Sequence, residues 1–328
     1  MVKKRVLSGI RANDRLHLGN YLGAIQGMFA LQEDSDYETF YFVADLHSIN
    51  VNYDPKKFQE NVRHVVLDYL AAGLDPEKST LFIQSHIPEH VELAYLFSSV
   101  MTVARMQHLP TYKEKVKNNP KNVNMALLYY PVLMAADILT YKANAVPVGD
   151  DQLPHLEVAR EVARKMNEKY GTDFPEPEQF KTEGHYVPSL TGEGKMSKSV
   201  PGSFINLTDD LSIIKKKLAS SPTDSGKGDK VPEKGGVANL LMLVEIFQGK
   251  DKRGEYEKQY TSTGIQYGQL KEDLAKAIYA ELKPIQEKRK KLEKDTEYID
   301  KVIEEGGKKA KKIAKKTLKE VKIKMGLV

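Results

Sequence analysis

Cysteine is absent from the 328-residue chain, which excludes disulfides, cysteine-ligated zinc and a thiol nucleophile. Tryptophan is absent too, and aromatic residues make up only 8%. No apolar run reaches the roughly 18 residues of a membrane span; the longest strongly apolar stretches are residues 126–134 and 237–247. The opening Met1-Val2-Lys3-Lys4-Arg5-Val6 leads into a strand-like run rather than a secretory core. A cytoplasmic protein without membrane association is expected. What is present is ordinary for a globular protein: 41% hydrophobic and 29% charged residues, with 22 Gly and 15 Pro. The length favours two domains.

The net charge of +5 hides an asymmetry. Residues 281–328 carry 16 Lys+Arg against 9 Asp+Glu, a net +7 that leaves −2 for residues 1–280. Such a basic end reads either as a polyanion-binding surface or as a solubilising helical face.

Over the first 150 residues, runs of strand length alternate with helical patterns. Residues 5–10, 39–44, 80–84 and 144–148 read as buried strands. Phe58, Val62, Val65, Val66, Tyr69 and Leu70 recur at helical spacing, with Asp54-Pro55 as a start and Gly73 as a stop. Tyr21, Leu22, Ile25, Met28 and Phe29 repeat the pattern after the first strand. This order predicts an α/β fold, a doubly wound parallel sheet whose ligands sit at the carboxyl ends of the strands. Beyond residue 200 the pattern turns helical, at 211–219, 237–247, 270–291 and 308–325, with a loop at 220–236. A catalytic domain over 1–200 and an all-helical domain over 201–328 are expected.

Two segments carry chemistry. In the first, Ser8-Gly9-Ile10-Arg11-Ala12-Asn13-Asp14-Arg15-Leu16-His17-Leu18-Gly19-Asn20 leaves a strand and enters a helix. Free N–H groups and the positive dipole end can meet phosphate there. Gly19 would let a flat base approach the backbone. In the second, Lys195-Met196-Ser197-Lys198-Ser199 follows Gly192 and Gly194 and precedes Gly202. It is a cationic loop able to close on a polyphosphate leaving group. Asp137 interrupts the apolar run Leu133-Met134-Ala135-Ala136, so a helix here brings a carboxylate into a greasy wall. Unpaired, it would be costly, and a ligand N–H would satisfy it; a backbone cap or a lysine partner is the structural alternative. Asp151 reads as an N-cap for the helix over 155–169. His86-Ile87-Pro88-Glu89-His90 matches an inverted zinc-protease pattern, but Pro88 breaks the continuous helix that would align both histidines. A surface turn at a helix start is expected instead.

Together these residues resemble the two signatures of the class I aminoacyl-tRNA synthetases, the HIGH-type element at His17 to Asn20 and a complete KMSKS at Lys195 to Ser199. Segments 81–85, 130–138, 146–152 and 236–241 are similar to the bacterial tryptophanyl branch, and the likeness spans nearly the whole chain. The resemblance implies a Rossmann-like catalytic domain and a helical anticodon-binding domain. It implies activation of L-tryptophan by ATP with Mg²⁺, then transfer to the terminal adenosine of tRNA(Trp), in a cytoplasmic homodimer with no structural metal. By the same resemblance His17, Asn20, Lys195 and Lys198 are catalytic. Arg11, Ala12, Asn13 and Gly19 join them around ATP, as do Gly149, Asp150 and Asp151 after the fourth strand. Val187, Met196, Ser197 and Ser199 complete that set. Asp137 would bind the indole nitrogen, Met134, Val146 and Val148 would line the ring, Tyr130 and Gln152 would hold the amino group, and His47 would lie beside them. Three positions depart from the family pattern: Arg11 and Thr111 stand where relatives often carry glutamine, and Leu7 where an aromatic residue often faces the indole. A tyrosyl-tRNA synthetase and a non-catalytic RNA-binding paralogue are the alternative readings.

Overall fold

The computed structural model describes residues 3–12, 15–118, 120–181, 186–198 and 200–328; the side chains of Asn118, Asn122 and Asp151 also fall outside the description. Strand β1 (Lys4–Ile10) is followed by the short helices α1 (Leu18–Asn20) and α2 (Gln26–Ala30), joined by a π-helical turn at Tyr21–Ile25. After β2 (Tyr37–Val43) come α3 (Asp45–Ser48) and α4 (Pro55–Ala71). Asp54 caps α4 by accepting from Lys56 N–H, and Gly73 ends the connection at φ +118°, as the sequence signals predict. Strand β3 (Ser79–Ile83) leads to α5 (Glu89–Ser98), α6 (Val103–Gln107), α7 (Pro110–Asn118) and α8 (Met125–Thr140). Strand β4 (Ala145–Pro147), α9 (Leu153–Tyr170) and β5 (Glu178–Phe180) complete the sheet.

The five strands among the described residues are all parallel, in the order β3-β2-β1-β4-β5. The chain winds outward from β1 to β3 and returns to place β4 on the other side of β1. The switch point therefore lies between β1 and β4, where a parallel sheet opens a crevice at its carboxyl edge. Alternate residues of each strand feed two cores. Tyr41, Val43, Leu81 and Ile83 pack with α4 on one face, while Leu7, Phe40, Phe42 and Phe82 pack with α5, α8 and α9 on the other. Strand β5 was not foreseen: it is a three-residue edge without a fully buried side chain.

The helices that follow are α10 (Leu211–Ala219), α11 (Gly236–Gln248), α12 (Lys250–Tyr260), α13 (Tyr267–Leu292) and α14 (Thr296–Lys324). Helix α12 escaped the sequence pattern because only Tyr256 and Tyr260 are buried along it. Helix α14 starts twelve residues before its expected position at 308. Its early half contains Gly306-Gly307, and a Cβ at Gly306 would lie 1.7 Å from the Leu81 carbonyl oxygen. The glycine lets α14 lie against the backbone of edge strand β3. Ala310, Ala314, Leu318 and Val321 of α14 join the core of the α5/α8 face, whereas Leu270, Leu274, Ile278 and Leu282 of α13 join the α4 face. Among the described residues no helix is long and apolar enough to cross a membrane.

Candidate active site

The described part of the segment leaving β1 is pinned at Ala12 and Leu16. Ala12 N–H donates to Ser48 Oγ (2.8 Å) and Leu16 N–H to Asp68 Oδ2 (3.0 Å). His17 then caps α1: its Nδ1 accepts from Asn20 N–H (3.3 Å), and Asn20 Oδ1 accepts from His17 N–H (3.2 Å). This reciprocal capping box leaves Nε2 to carry the imidazole proton. Burial, and next the charge of Lys198, lower the His17 pKa to about 4. His17 is thus a neutral donor at pH 7.

The second segment folds back as a narrow ribbon. Met196 N–H donates to the Val187 carbonyl (3.0 Å) and Ser189 N–H to the Gly194 carbonyl (2.9 Å), with a bridge between Pro188 and Lys195. Gly192 and Gly194 sit at φ +92° and +68°, conformations that side chains rarely adopt. Ser203 anchors the far end, its Oγ donating to the Ser197 carbonyl (2.6 Å). Lys195 is exposed and Lys198 half-buried.

The two segments meet. A Cβ at Gly19 would stand 2.9 Å from His17 Cε1 and 3.0 Å from Met196 Cβ. In this structure the missing side chain admits Met196, so the nearest reason for glycine is a protein contact rather than a nucleotide base. Residues 205–207 run antiparallel to residues 16–18, with Leu18 N–H on the Ile205 carbonyl (2.8 Å) and Leu207 N–H on the Leu16 carbonyl (3.0 Å).

Across the carboxyl edge lies Asp137 of α8, 1% exposed. Its Oδ2 receives His47 Nε2 (2.7 Å), and its Oδ1 receives Gln84 Nε2 (2.8 Å) and His90 Nδ1 (2.6 Å). Burial opposes ionisation, but the hydrogen bonds from the two histidines win and hold the carboxyl below its ordinary range. Two expectations change here. The carboxylate is already satisfied without a ligand, and by imidazoles and an amide rather than by lysine. His90 is not on a surface turn; it is fully buried, and its Nε2 takes the Tyr141 hydroxyl (2.7 Å). A carboxylate offers about four lone-pair sites, so the three donors leave one, on Oδ2 beside His47.

Next to this cluster, Tyr130 OH meets His155 Nε2 (2.5 Å) and Thr111 Oγ1 (3.1 Å), while His155 Nδ1 meets Gln152 Oε1 (3.0 Å). The His47 and Tyr130 rings lie 6.4 Å apart, edge to face. Lys115 Nζ stands 4.1 Å above the Tyr130 ring. Burial, and then the Arg11 charge, lower its pKa to about 8. Val146 and Leu7 are buried in the core of this face, and Met134 and Val148 are half-buried against it. Gly149 opens the turn after β4, and Gln152 rather than Asp151 stands at the N-cap of α9. Asp150 turns toward β5, its Oδ1 accepting from Gln179 Nε2 (2.9 Å). Asn13, Ser199 and the Asp151 side chain lie outside the described parts of the chain. Among the described residues, no three His, Asp or Glu side chains converge as a metal site requires.

Sequence reasoning brings together His17, Gly19, Asn20, Met196 and Lys198, and separately Asp137 with His47 and Tyr130 with Gln152. It misses Gln84, His90, Lys115 and His155. The signal for two of these was available: His90 shares a helical face with Leu93, Ala94 and Phe97, and His155 with Val158, Ala159 and Val162, all fully buried.

Comparison with known proteins accords with this geometry. The family model for tRNA synthetases class I (W and Y) matches residues 2–283. The tryptophan–tRNA ligase of Clostridium tetani is 39% identical over 331 residues, covering 99% of this chain and 96% of that protein. That of Halalkalibacterium halodurans is 41% identical over 333 residues, covering 99% and 98%. The crystal structure of Campylobacter jejuni tryptophanyl-tRNA synthetase complexed with ADP and tryptophan is similar at a TM-score of 0.87 and 32% identity, covering 98% of this chain and 100% of that one.

Proposed function

The chain belongs to the class I tRNA synthetases of the tryptophan and tyrosine type, and we propose that it is a tryptophan–tRNA ligase. It activates L-tryptophan with ATP and transfers it to the terminal adenosine of tRNA(Trp). The observation that carries this reading is the Asp137 carboxylate, kept ionised inside an apolar wall with one acceptor position left. An indole N–H fits that position. The full-length likeness to tryptophan–tRNA ligases supports the same choice of amino acid.

The first step needs no general base, because an amino-acid carboxylate is ionised at pH 7. Its oxygen attacks the α-phosphorus of ATP in line, and the bond to the bridging oxygen breaks to release pyrophosphate. In this reading Asp137 accepts the indole N–H, with His47 alongside and Met134, Val146 and Val148 around the ring. Tyr130 and Gln152, both tied to His155, take the amino group. Gly149, Asp150 and Asp151 border the ribose; Arg11, Ala12, Asn13 and Val187 border the rest of the nucleotide. His17 and Asn20 donate to the phosphates, Lys195 and Lys198 close over the leaving group with Met196, Ser197 and Ser199, and Lys115 adds a cation beside Arg11. Mg²⁺ arrives on the triphosphate as part of the substrate, the usual mode for an ion that keeps several waters. In the second step a hydroxyl of the terminal ribose attacks the adenylate carbonyl and AMP leaves.

Residues 1–200 serve as the catalytic domain and residues 201–328 as the tRNA-binding part, in a cytoplasmic homodimer. Lys308, Lys312, Lys315, Lys316 and Lys319 line the exposed side of α14 and supply a sequence-independent attraction for the RNA backbone. ATP–pyrophosphate exchange across the twenty amino acids tests the reading. Exchange with tryptophan alone is expected; exchange with tyrosine and none with tryptophan would overturn it, since a phenol hydroxyl also donates to a carboxylate.

A further inference from the structure

Arg289 of α13 and Asp68 of α4 form an ion pair, Nε to Oδ1 at 2.6 Å, with side chains only 5% and 1% exposed. None of the roles above uses it. A buried pair of this kind is weak evidence for stability, since apolar residues often do as well. Its second hydrogen bond is therefore informative: Asp68 Oδ2 takes the N–H of Leu16, the residue before His17. One turn earlier on α13, Gln286 Nε2 donates to the carbonyls of Leu207 (2.8 Å) and Asp209 (2.9 Å). Leu207 N–H in turn donates to the Leu16 carbonyl.

Both polar groups of Leu16 are thus held by partners that α13 fixes. The N–H is gripped through Asp68 and Arg289, the carbonyl through Leu207 and Gln286. Four residues before Leu207, Ser203 is the anchor of the lysine-bearing ribbon. A single turn of α13 therefore stands behind both phosphate-facing segments.

We propose that Arg289 and Gln286 are positioning residues for the nucleotide. They set the Leu16 peptide, and with it the His17 imidazole, from a helix that belongs to the tRNA-binding part of the chain. The inference rests on the reading of the His17 segment as ATP-binding. By this account α13 is a component of the ATP site although neither residue is placed on the substrate. The described partners of Asp137, namely His47, Gln84 and His90, all come from elements other than α13, so the effect is selective for the nucleotide.

The test uses the full-length chain carrying Asp68→Asn together with Arg289→Met, which removes both charges at once and leaves no buried ion orphaned. Equilibrium dialysis reads ATP affinity. Tryptophan affinity is read from the change in the amino acid's own emission on binding, with no tryptophan signal from the protein because the chain contains none. The Kd for ATP is expected to rise at least fivefold while that for tryptophan stays within twofold. A smaller rise for ATP, or an equal loss for both ligands, overturns the proposal. If the double variant fails to fold, Gln286→Met is judged by the same two numbers. The functional reading is separable, because it stands or falls on tryptophan-dependent exchange by the parent, whereas the ATP dissociation constant reads positioning with or without turnover.

Discussion

The two halves of the crevice are built in opposite ways. On the side proposed to take the amino acid, Asp137, His90 and Tyr141 are buried and joined by hydrogen bonds of 2.6–2.7 Å, with Gln84 and His47 completing the carboxylate's partners. On the side proposed to take the nucleotide, Lys195 is exposed and the ribbon that carries it turns on glycines at positive φ. The contrast matches the tasks. Reading one N–H in an apolar slot demands an acceptor that cannot relax to water, since only then is a ligand lacking the donor rejected strongly. Neutralising charge on a departing pyrophosphate demands cations that can follow it. In the proposed function, specificity falls to the buried half and rate to the half that turns on glycines.

Removing the cations tests that division most severely. Lys195→Ala with Lys198→Ala is expected to lower adenylate formation by about 10⁴ or more, from roughly 10²–10³ per donor. Tryptophan binding and the melting temperature should stay near those of the parent. A comparable loss of tryptophan binding would erase the distinction between the halves. On the fixed side, Asp137→Asn should raise the KM for tryptophan about 10–100-fold, the weight of roughly 1.5–3 kcal/mol for a hydrogen bond to a charged group. It should also narrow the preference over a benzothiophene analogue that lacks the N–H. A variant that keeps the full preference would show that Asp137 does not read the ring.

His90→Gln sharpens the comparison further. It disturbs the Tyr141 hydroxyl and one Asp137 contact at a cost of about 1–3 kcal/mol. A melting point lower by several degrees is expected, with a KM increase for tryptophan of about tenfold or less and little change in the KM for ATP. The smallest effects are in pH. The folded His17 pKa of about 4 lies below its ordinary 6.5, so the unfolded chain binds this proton first. Its contribution to stability is complete above pH 6.5 and is lost as pH falls from 6.5 toward 4. Exchange rates should accordingly show no acid limb from His17 near 6.5. Lys115, lowered to about 8, should give a shallow alkaline limb near that pH, absent in Lys115→Arg.

Much of the architecture was legible because strong periodicity and clear end signals coincide. Helix α4 begins at Pro55 behind its Asp54 cap and α10 occupies Leu211–Ala219, as expected. What escaped has little periodicity to show: β5 is short and marginal, and α12 is polar nearly all round. The two segments around His17 and Lys198 were legible as a pair because each is a short contiguous motif, and the structure brings them into contact. The cluster around Asp137 was only half legible. Asp137 stands out as a charge in an apolar run, but Gln84, His90 and His155 come from three other elements, and only the folded sheet edge brings them within hydrogen-bonding reach. Gly306 shows the same limit, since its role is a close approach to Leu81 more than two hundred residues earlier.

The placement of α14 against β3 has a consequence for biogenesis. The strand β3 and the helices α5 and α8 that α14 covers leave the ribosome well before α14 itself does. The outer strand of the sheet and the adjoining flank of α5 and α8 therefore stay open through most of translation, and an uncovered strand edge is a template for wrong pairing. Nascent chains stalled before residue 306 should be the ones that associate with holdases or with each other, and release of the final helical turns should end that vulnerability.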